Sequence, residues 1–250
     1  MEKNSLVTNA LIFPTYREFE SLKVLLRSIV PELKESDAVV ICDDTGEEFE
    51  EMISRDVSEV FKDSKCRVFF SFAKSKSGRG AAVFRGMELS TQTFPNLKFI
   101  LESDSDGSHR SQDIISILRS ENADFRIGSR YLKESKIIGW PLSRKLFSSL
   151  LNKLIPKILN LDCTDATNGL RRYSVSCVKV LLTRGITNTG FIYLSEQAVI
   201  LSRAGYPITE IPITFVNRTH GESSVGLREI RDSILGIVFI LRKLKIKNEK

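Results

Sequence analysis

Short apolar runs alternate with amphipathic stretches through the first half of this sequence, and few folds accept that pattern. Leu6 to Phe13 is strand-like and ends at Pro14. Phe19 to Leu33 carries Phe19, Leu22, Leu25, Leu26, Ile29 and Val30 at helical spacing. Ala38 to Cys42 reads as a short buried strand, Glu47 to Phe61 as a helix and Cys66 to Phe72 as a strand. The alternation continues with Gly80 to Leu89 helical, Leu97 to Leu101 extended, Gln112 to Leu118 helical and Phe125 to Ile127 extended. Strands separated by helices pair in parallel, and the crossover helices cover the sheet. The expected class is α/β: a Rossmann-like, mostly parallel sheet with helices on both faces.

The second half is less regular. Ser143 to Leu159 is a long amphipathic stretch that stops at Asn160. Gly169 to Tyr173 reads as a strand, Val175 to Leu182 and Ile192 to Ala204 as helices, and Ile208 to Val216 as a strand broken at Pro212. The tail holds the apolar run Ile234 to Leu241, followed by Arg242, Lys243, Lys245 and Lys247. That run is far short of the roughly 20 apolar residues that span a bilayer, so no transmembrane helix is expected. Residues 225–250 are expected to form a C-terminal amphipathic, basic helix. It either packs on the body or lies on an anionic membrane surface. No shift in composition marks a boundary, and 1–250 is read as one domain.

A net charge of +6 favours anionic partners, such as phosphates, nucleotides or anionic lipid. No aromatic-basic platform or nucleic-acid motif accompanies it, so nucleic acid is not an expected partner. The cysteines are Cys42, Cys66, Cys163 and Cys177, without a Cys-x-x-Cys pair, and the histidines are His109 and His220. Structural zinc is not expected from that set. The first nine residues have no long apolar core, and the thiols suit a reducing compartment, so a cytoplasmic location is expected.

Chemistry-bearing residues gather where the strands end. Between Leu101 and the next helix stands Glu102-Ser103-Asp104-Ser105-Asp106-Gly107-Ser108-His109. In an extended segment Asp104 and Asp106 would share one side and could meet one hard cation, Mg²⁺ or Mn²⁺. A solvated Asp/Ser/Gly turn is the alternative. Pro14-Thr15-Tyr16-Arg17-Glu18 offers an aromatic and a carboxylate for a base and a ribose, or a plain strand-to-helix turn. Asp43-Asp44-Thr45-Gly46 offers paired acids, or a helix cap. Lys76-Ser77-Gly78-Arg79-Gly80 opens a helix and can favour an anion, without the Walker spacing. Gly128-Ser129-Arg130-Tyr131 follows another strand, and Arg130 can hold a phosphate bidentately. Asp165 to Gly169 and Arg218 to Ser223 add further polar blocks. Acids and arginines along one edge of a parallel sheet point to a nucleoside-diphosphate site.

The ordered set, from about Leu11 to Leu241, resembles the family-2 glycosyltransferases of GT-A fold, and within them the dolichol-phosphate (polyprenyl-phosphate) mannosyltransferases. Pro14 to Glu18 stands for their Pro-Thr-Tyr-Asn-Glu, and Asp43 to Gly46 for Asp-Asp-Gly-Ser. Asp104 to His109 stands for Asp-Ala-Asp-Leu-Ser-His, and Gly128 to Tyr131 for Gly-Thr-Arg-Tyr. Gly139-Trp140 with Arg144-Lys145, then Asp165 to Tyr173 and Phe215 to Ser223, complete the series. Arg17, Thr45-Gly46 and Ser224 depart from the family pattern, Ser224 replacing a usual Lys.

The resemblance implies an inverting transfer of a sugar, mannose from GDP-mannose, to a polyprenyl (dolichyl) phosphate. It implies that Pro14, Tyr16, Glu18, Ile41, Asp43 and Ser105 bind the donor. Asp104, Asp106 and Ser108 would hold Mg²⁺ or Mn²⁺. Asp104, Asp106 and Arg130 would serve catalysis, Arg130 and Arg218 would hold phosphate charge, and Arg144 would meet the acceptor phosphate. The implied setting is a peripheral membrane surface, with small membrane subunits as further partners. The alternatives are a family-2 enzyme using another nucleotide sugar or a glycan acceptor, and a non-catalytic nucleotide-sugar-binding subunit.

Overall fold

A computed structural model describes residues 2–188, 190–217 and 235–242. Its strands are β1 (Asn9–Thr15), β2 (Asp37–Asp43), β3 (Arg67–Phe72), β4 (Phe99–Glu102), β5 (Phe125–Ser129), β6 (Lys136–Ile138), β7 (Arg171–Ser174), β8 (Ile208–Pro212) and β9 (Thr214–Val216). Its α-helices include α1 (Phe19–Ile29), α2 (Glu50–Val60), α3 (Arg79–Thr93), α4 (Ser111–Arg119), α5 (Leu142–Leu159), α6 (Val175–Arg184) and α7 (Tyr193–Arg203).

The main sheet has the order β3-β2-β1-β4-β7-β5-β8. β1 is parallel to β2 and β4, β2 to β3, and β5 to β8, while β7 runs antiparallel between β4 and β5. β6 and β9 form a separate parallel pair. Burial on both faces explains the continuous apolar strands. Ala10 and Ile12 of β1 join Ala38, Val40 and Cys42 of β2 in one core, with Val83 and Met87 of α3 and Val178 of α6. Their neighbours Leu11, Phe13, Val39 and Ile41 face a second core, with Leu22, Leu26, Val57 and Ile114 from α1, α2 and α4. The alternation is the period of two expected of a strand.

The sequence expectation of an α/β, mostly parallel sheet with helices on both faces is met, and no described helix is long and apolar enough to cross a membrane. Several boundaries move. The helix expected to Leu33 ends at Ile29 and tightens into a 3₁₀ turn over Val30–Glu32. Pro31 lacks the N–H that would continue α1. β1 runs through Pro14, which pairs with Cys42. Alternate residues of a parallel strand point to opposite neighbours. Ile12 accepts from Ser103 on the β4 side, and Pro14 points the same way, beyond the last β1–β4 pair, Ile12 with Glu102. The missing N–H therefore breaks no ladder bond. The strand expected over 208–216 divides at Pro212, and its second half pairs with β6. Of the tail, residues 235–242 are helical, with Ile240 buried. The rest of 225–250 lies outside the described residues.

Candidate active site

The order of the sheet turns between β1 and β4, the switch point where ligands of open α/β sheets collect. Loops after β1, β2, β3 and β4 meet at that edge. β7 is antiparallel, so the loop before it, rather than after it, reaches the same place.

Hydrogen bonds join these loops into one frame. The Arg17 amide donates to Thr45 Oγ1 (2.9 Å), and the Asp44 amide to the Thr15 carbonyl (3.1 Å). Arg17 holds φ at +58°, a conformation uncommon outside glycine. Asp43 accepts the Thr45 N–H at 2.7 Å and its hydroxyl at 3.0 Å. Burial pushes the Asp43 carboxyl above its ordinary value, against those hydrogen bonds. Asp44 caps a helix, though not the one that follows it. Its Oδ2 accepts from the Ser77 amide (2.7 Å), the Ser77 hydroxyl (2.7 Å) and the Gly78 amide (3.1 Å) at the start of α3. Arg85 of α3 donates to its other oxygen at 2.7 Å. Tyr16 lies half-buried beneath the Lys76 ammonium, 4.3 Å from the ring centre.

The acidic loop is fastened on three sides. Ser105 Oγ lies 3.0 Å from the Pro14 carbonyl and 2.8 Å from Glu18 Oε2, tying this loop to the one after β1. The Ser108 amide donates to Asp106 Oδ1 at 2.9 Å. The Asp104 amide faces His109 Nδ1 at 3.3 Å, so that nitrogen accepts, and Nε2–H donates to Asn168 Oδ1 at 2.9 Å. Asn168 in turn donates to the Gly128 carbonyl. This buried imidazole links the acidic loop to the loops around β5 and β7. β4 stops at Glu102, so Asp104 and Asp106 lie in the loop beyond the strand, where the chain bends over 105–107. The expectation that strand geometry sets them on one side is corrected. The loop and its ties orient them, with Gly107 at φ +78° making the turn.

A buried network that sequence reading did not pick up stands behind this loop. Glu102 is fully buried and accepts from Tyr173 Oη (2.6 Å), Tyr193 Oη (2.7 Å) and Arg79 Nη1 (3.2 Å). Arg79 Nε donates to Asp104 Oδ1 at 2.6 Å, and its Nη2 to the Gly169 carbonyl at 3.1 Å. Burial works against the Arg79 charge, but Asp104 and Glu102 outweigh it and hold the guanidinium above its ordinary value. A side chain at Gly169 would press into that guanidinium, which explains the glycine. The available signal was the carboxylate at the end of an apolar strand, where burial demands a partner.

Other expected residues have different surroundings. Arg130 is bound bidentately by Asp165, with Nε at 2.7 Å and Nη2 at 2.8 Å, and it also reaches Thr167 at 2.8 Å. Its fork clamps the loops after β5 and before β7, because Asp165 is fully buried and needs a charge partner. Ile41 is fully buried among the apolar residues of the second core. The strand period of two turns its side chain to the helices. Arg144 stacks on Trp140, 4.0 Å from the ring centre, and donates to Asn217 Oδ1 at 3.3 Å. Arg218, His220 and Ser224 lie outside the described residues.

The donor set for a divalent ion can be tested on the site itself. Among the described residues, no three His, Cys, Asp or Glu side chains group closely enough to hold a metal. The acidic loop supplies two carboxylates, and the buried Ser108 hydroxyl has no hydrogen-bond partner among the described residues. One or two carboxylates completed by substrate phosphates is the coordination that Mg²⁺ adopts in nucleotide sites. The residues fit such an ion.

Comparison with known proteins agrees with this arrangement. The profile described as glycosyl transferase family 2 matches residues 10–181, from β1 into α6. An undecaprenyl-phosphate mannosyltransferase of Micrococcus luteus is 30% identical over 232 residues, spanning 90% of each chain. A polyprenol monophosphomannose synthase of Mycolicibacterium smegmatis is 25% identical over 232 residues, spanning 91% of this chain and 84% of its own. Glucosyl-3-phosphoglycerate synthase from Mycobacterium tuberculosis, solved with Mn²⁺, uridine diphosphate and glucosyl-3-phosphoglycerate, superposes with a TM-score of 0.61 at 15% identity. That overlap covers 96% of this chain and 81% of the other, and shows a shared GT-A fold. The family match takes in every loop built around the β1–β4 switch, and this chain is a glycosyltransferase belonging to glycosyl transferase family 2.

Proposed function

We propose that this glycosyltransferase moves mannose from GDP-mannose to a polyprenyl phosphate. The observation that carries the reading is the acidic loop at the switch point, with two carboxylates and a buried Ser108 hydroxyl that has no partner among the described residues. The two mannosyltransferase relatives, similar over nine-tenths of the chain, support the choice of acceptor.

In this reading Asp104, Asp106 and Ser108 hold Mg²⁺ or Mn²⁺ against the donor diphosphate. The bound ion would neutralise charge on the departing nucleoside diphosphate. Tyr16 and Lys76 flank the base, and Glu18 and Asp43 accept from its donors or from the ribose. Glu18 and Ser105 join the donor side to the acidic loop, so both ends of the nucleotide are set by one frame. Arg144, held flat on Trp140, receives the acceptor phosphate. An acceptor oxygen forms the bond to the sugar's anomeric carbon. The bond to the diphosphate breaks on the opposite side with its electron pair, inverting the carbon. A phosphate oxygen is already anionic at neutral pH, so the site does not need a strong base. The chain would work on the membrane surface that holds its acceptor.

The test is direct transfer. Purified protein is given mannose-labelled GDP-mannose, Mn²⁺ and a short polyprenyl phosphate. Label that enters the organic phase, and fails to do so with EDTA, is the expected result. A protein that binds the donor yet leaves all label in water would overturn the reading.

A further inference from the structure

We propose that Tyr193 is a positioning residue for the acidic loop, and that the helix at 235–242 is the clasp that holds it there. Tyr193 opens α7 and is fully buried. Its hydroxyl donates to Glu102 at 2.7 Å, and the Arg79 guanidinium lies over its ring, 5.4 Å from the ring centre. The same ring packs closely on Gly80, where a Cβ would stand 2.9 Å from the ring Cγ and 3.1 Å from Ile186 Cδ1. One side chain thus touches Glu102, Arg79 and the backbone just after Arg79. Arg79 carries the contact onward, donating to Asp104 at 2.6 Å. A buried polar network with its partners in place rigidifies the segments it joins. Here it joins the start of α3, the end of β4 and the start of α7 to the acidic loop.

Tyr193 is in turn set from outside the sheet. Glu196, in the first turn of α7, accepts from the Thr187 amide at 3.1 Å and from the Asn188 amide and side chain at 2.9 and 2.8 Å. The chain ahead of α7 is folded back on the helix by these bonds. Gly236, in the helix at 235–242, lies against that turn. A Cβ on Gly236 would stand 2.6 Å from Ile192 Cγ2 and 2.9 Å from Asn188 Oδ1, so a residue without a Cβ is what lets the backbone approach. Ile192 immediately precedes Tyr193. Ile192 and Ile240 are both buried in the core that α3 and α6 share with the sheet, and Ile237 and Leu241 pack against it. The contacts run from Gly236 through Ile192, Tyr193, Glu102 and Arg79 to Asp104. Contact alone is adjacency, and coupling is established by a response at the far end.

The experiment is amide hydrogen exchange of the full chain, read by mass spectrometry over residues 103–109, with residues 50–60 of α2 as the reference. Tyr193→Phe keeps the ring and loses only the hydroxyl, while Gly236→Ala pushes the helix off Ile192. Both should speed exchange at 103–109 by about fivefold or more, the lower end of coupling between linked sites, and leave 50–60 unchanged. Adding Ile192→Ala to Gly236→Ala makes room for the new methyl group and should return the loop toward its wild-type rate. A helix that only added stability would lose more from that second truncation. Should Gly236→Ala unfold early, Ile240→Ala, which loosens the same helix without a clash, is read in its place. Wild-type exchange at 103–109 in Tyr193→Phe would overturn the proposal; a loop that responds to Tyr193→Phe and to neither tail variant would overturn the clasp. Order in the loop is measured without metal or donor. Its consequence rests on the proposed metal site: Mn²⁺ binding with GDP should weaken by about tenfold in Tyr193→Phe. A looser loop with unchanged Mn²⁺ affinity would count against Asp104 as a metal ligand and leave the positioning standing.

Discussion

The residue with the most consequences in this site is Arg79, because it touches both a buried carboxylate and an acidic-loop carboxylate. Glu102 is fully buried, and removing its cationic neighbour would leave the charge uncompensated. Arg79→Ala should therefore lower stability and loosen Asp104 together. Outer partners of metal ligands commonly change metal affinity by about 10- to 100-fold. Mn²⁺ binding in the presence of GDP, followed by calorimetry, should weaken by that range in Arg79→Ala and less in Arg79→Lys. Equal Mn²⁺ affinity in all three proteins would show that Arg79 only fills the core. Gly169→Ala should mimic part of the defect, since its methyl group would displace the guanidinium. Asp104, Asp106 and Ser108 were visible in the sequence as a spaced acidic loop. Arg79 was visible only within a helix-opening loop, and its role was not, because that role comes from Tyr173, Tyr193 and Glu102, which lie far apart in sequence and converge only across strands. Arg130 shows the reverse limit. The sequence shows a free arginine after a strand, and only the fold reveals Asp165 bound to it.

At the scale of elements, strand and helix periodicity located the parallel half well, because both faces of β1 and β2 are buried. Direction and partner were less legible. β7 holds Arg171 and Arg172, both buried, which no apolar pattern predicts. Their guanidinium groups donate to carbonyls, Arg171 to Asn168, Leu194 and Ala166, and Arg172 through its two terminal nitrogens to Ser120 and Glu121. β6 is three residues long, too short for periodicity to show. β2 begins at Asp37, whose carboxylate is fully buried and paired with Arg119. Burial pushes this carboxyl up, but Arg119, the Lys34 amide and Asn9 outweigh that and hold it below its ordinary value. A carboxyl lowered by folding stabilises the protein above its unfolded value and loses that contribution as pH falls through the folded one. Urea unfolding of the wild type should therefore weaken below about pH 4. Asp37→Asn should lose about 2 kcal/mol at neutral pH and show a shallower acid decline. An unchanged acid profile in Asp37→Asn would remove this pair from the account.

For the whole molecule, the sheet order brings loops from distant parts of the sequence to one edge. The family pattern was legible because each strand end carries its own short motif. The seat of the helix at 235–242 was hidden, because an amphipathic period reports a stripe without saying which side meets the core. The central claim is that this edge binds a nucleoside diphosphate through a divalent ion held by the acidic loop. Calorimetric titration of GDP into wild type and Asp106→Asn, each with Mn²⁺ and with EDTA, tests it most directly. The account predicts that Mn²⁺ tightens GDP binding to the wild type by about tenfold or more, and that Asp106→Asn loses this gain. Equal GDP affinity with Mn²⁺ and with EDTA in the wild type would contradict it.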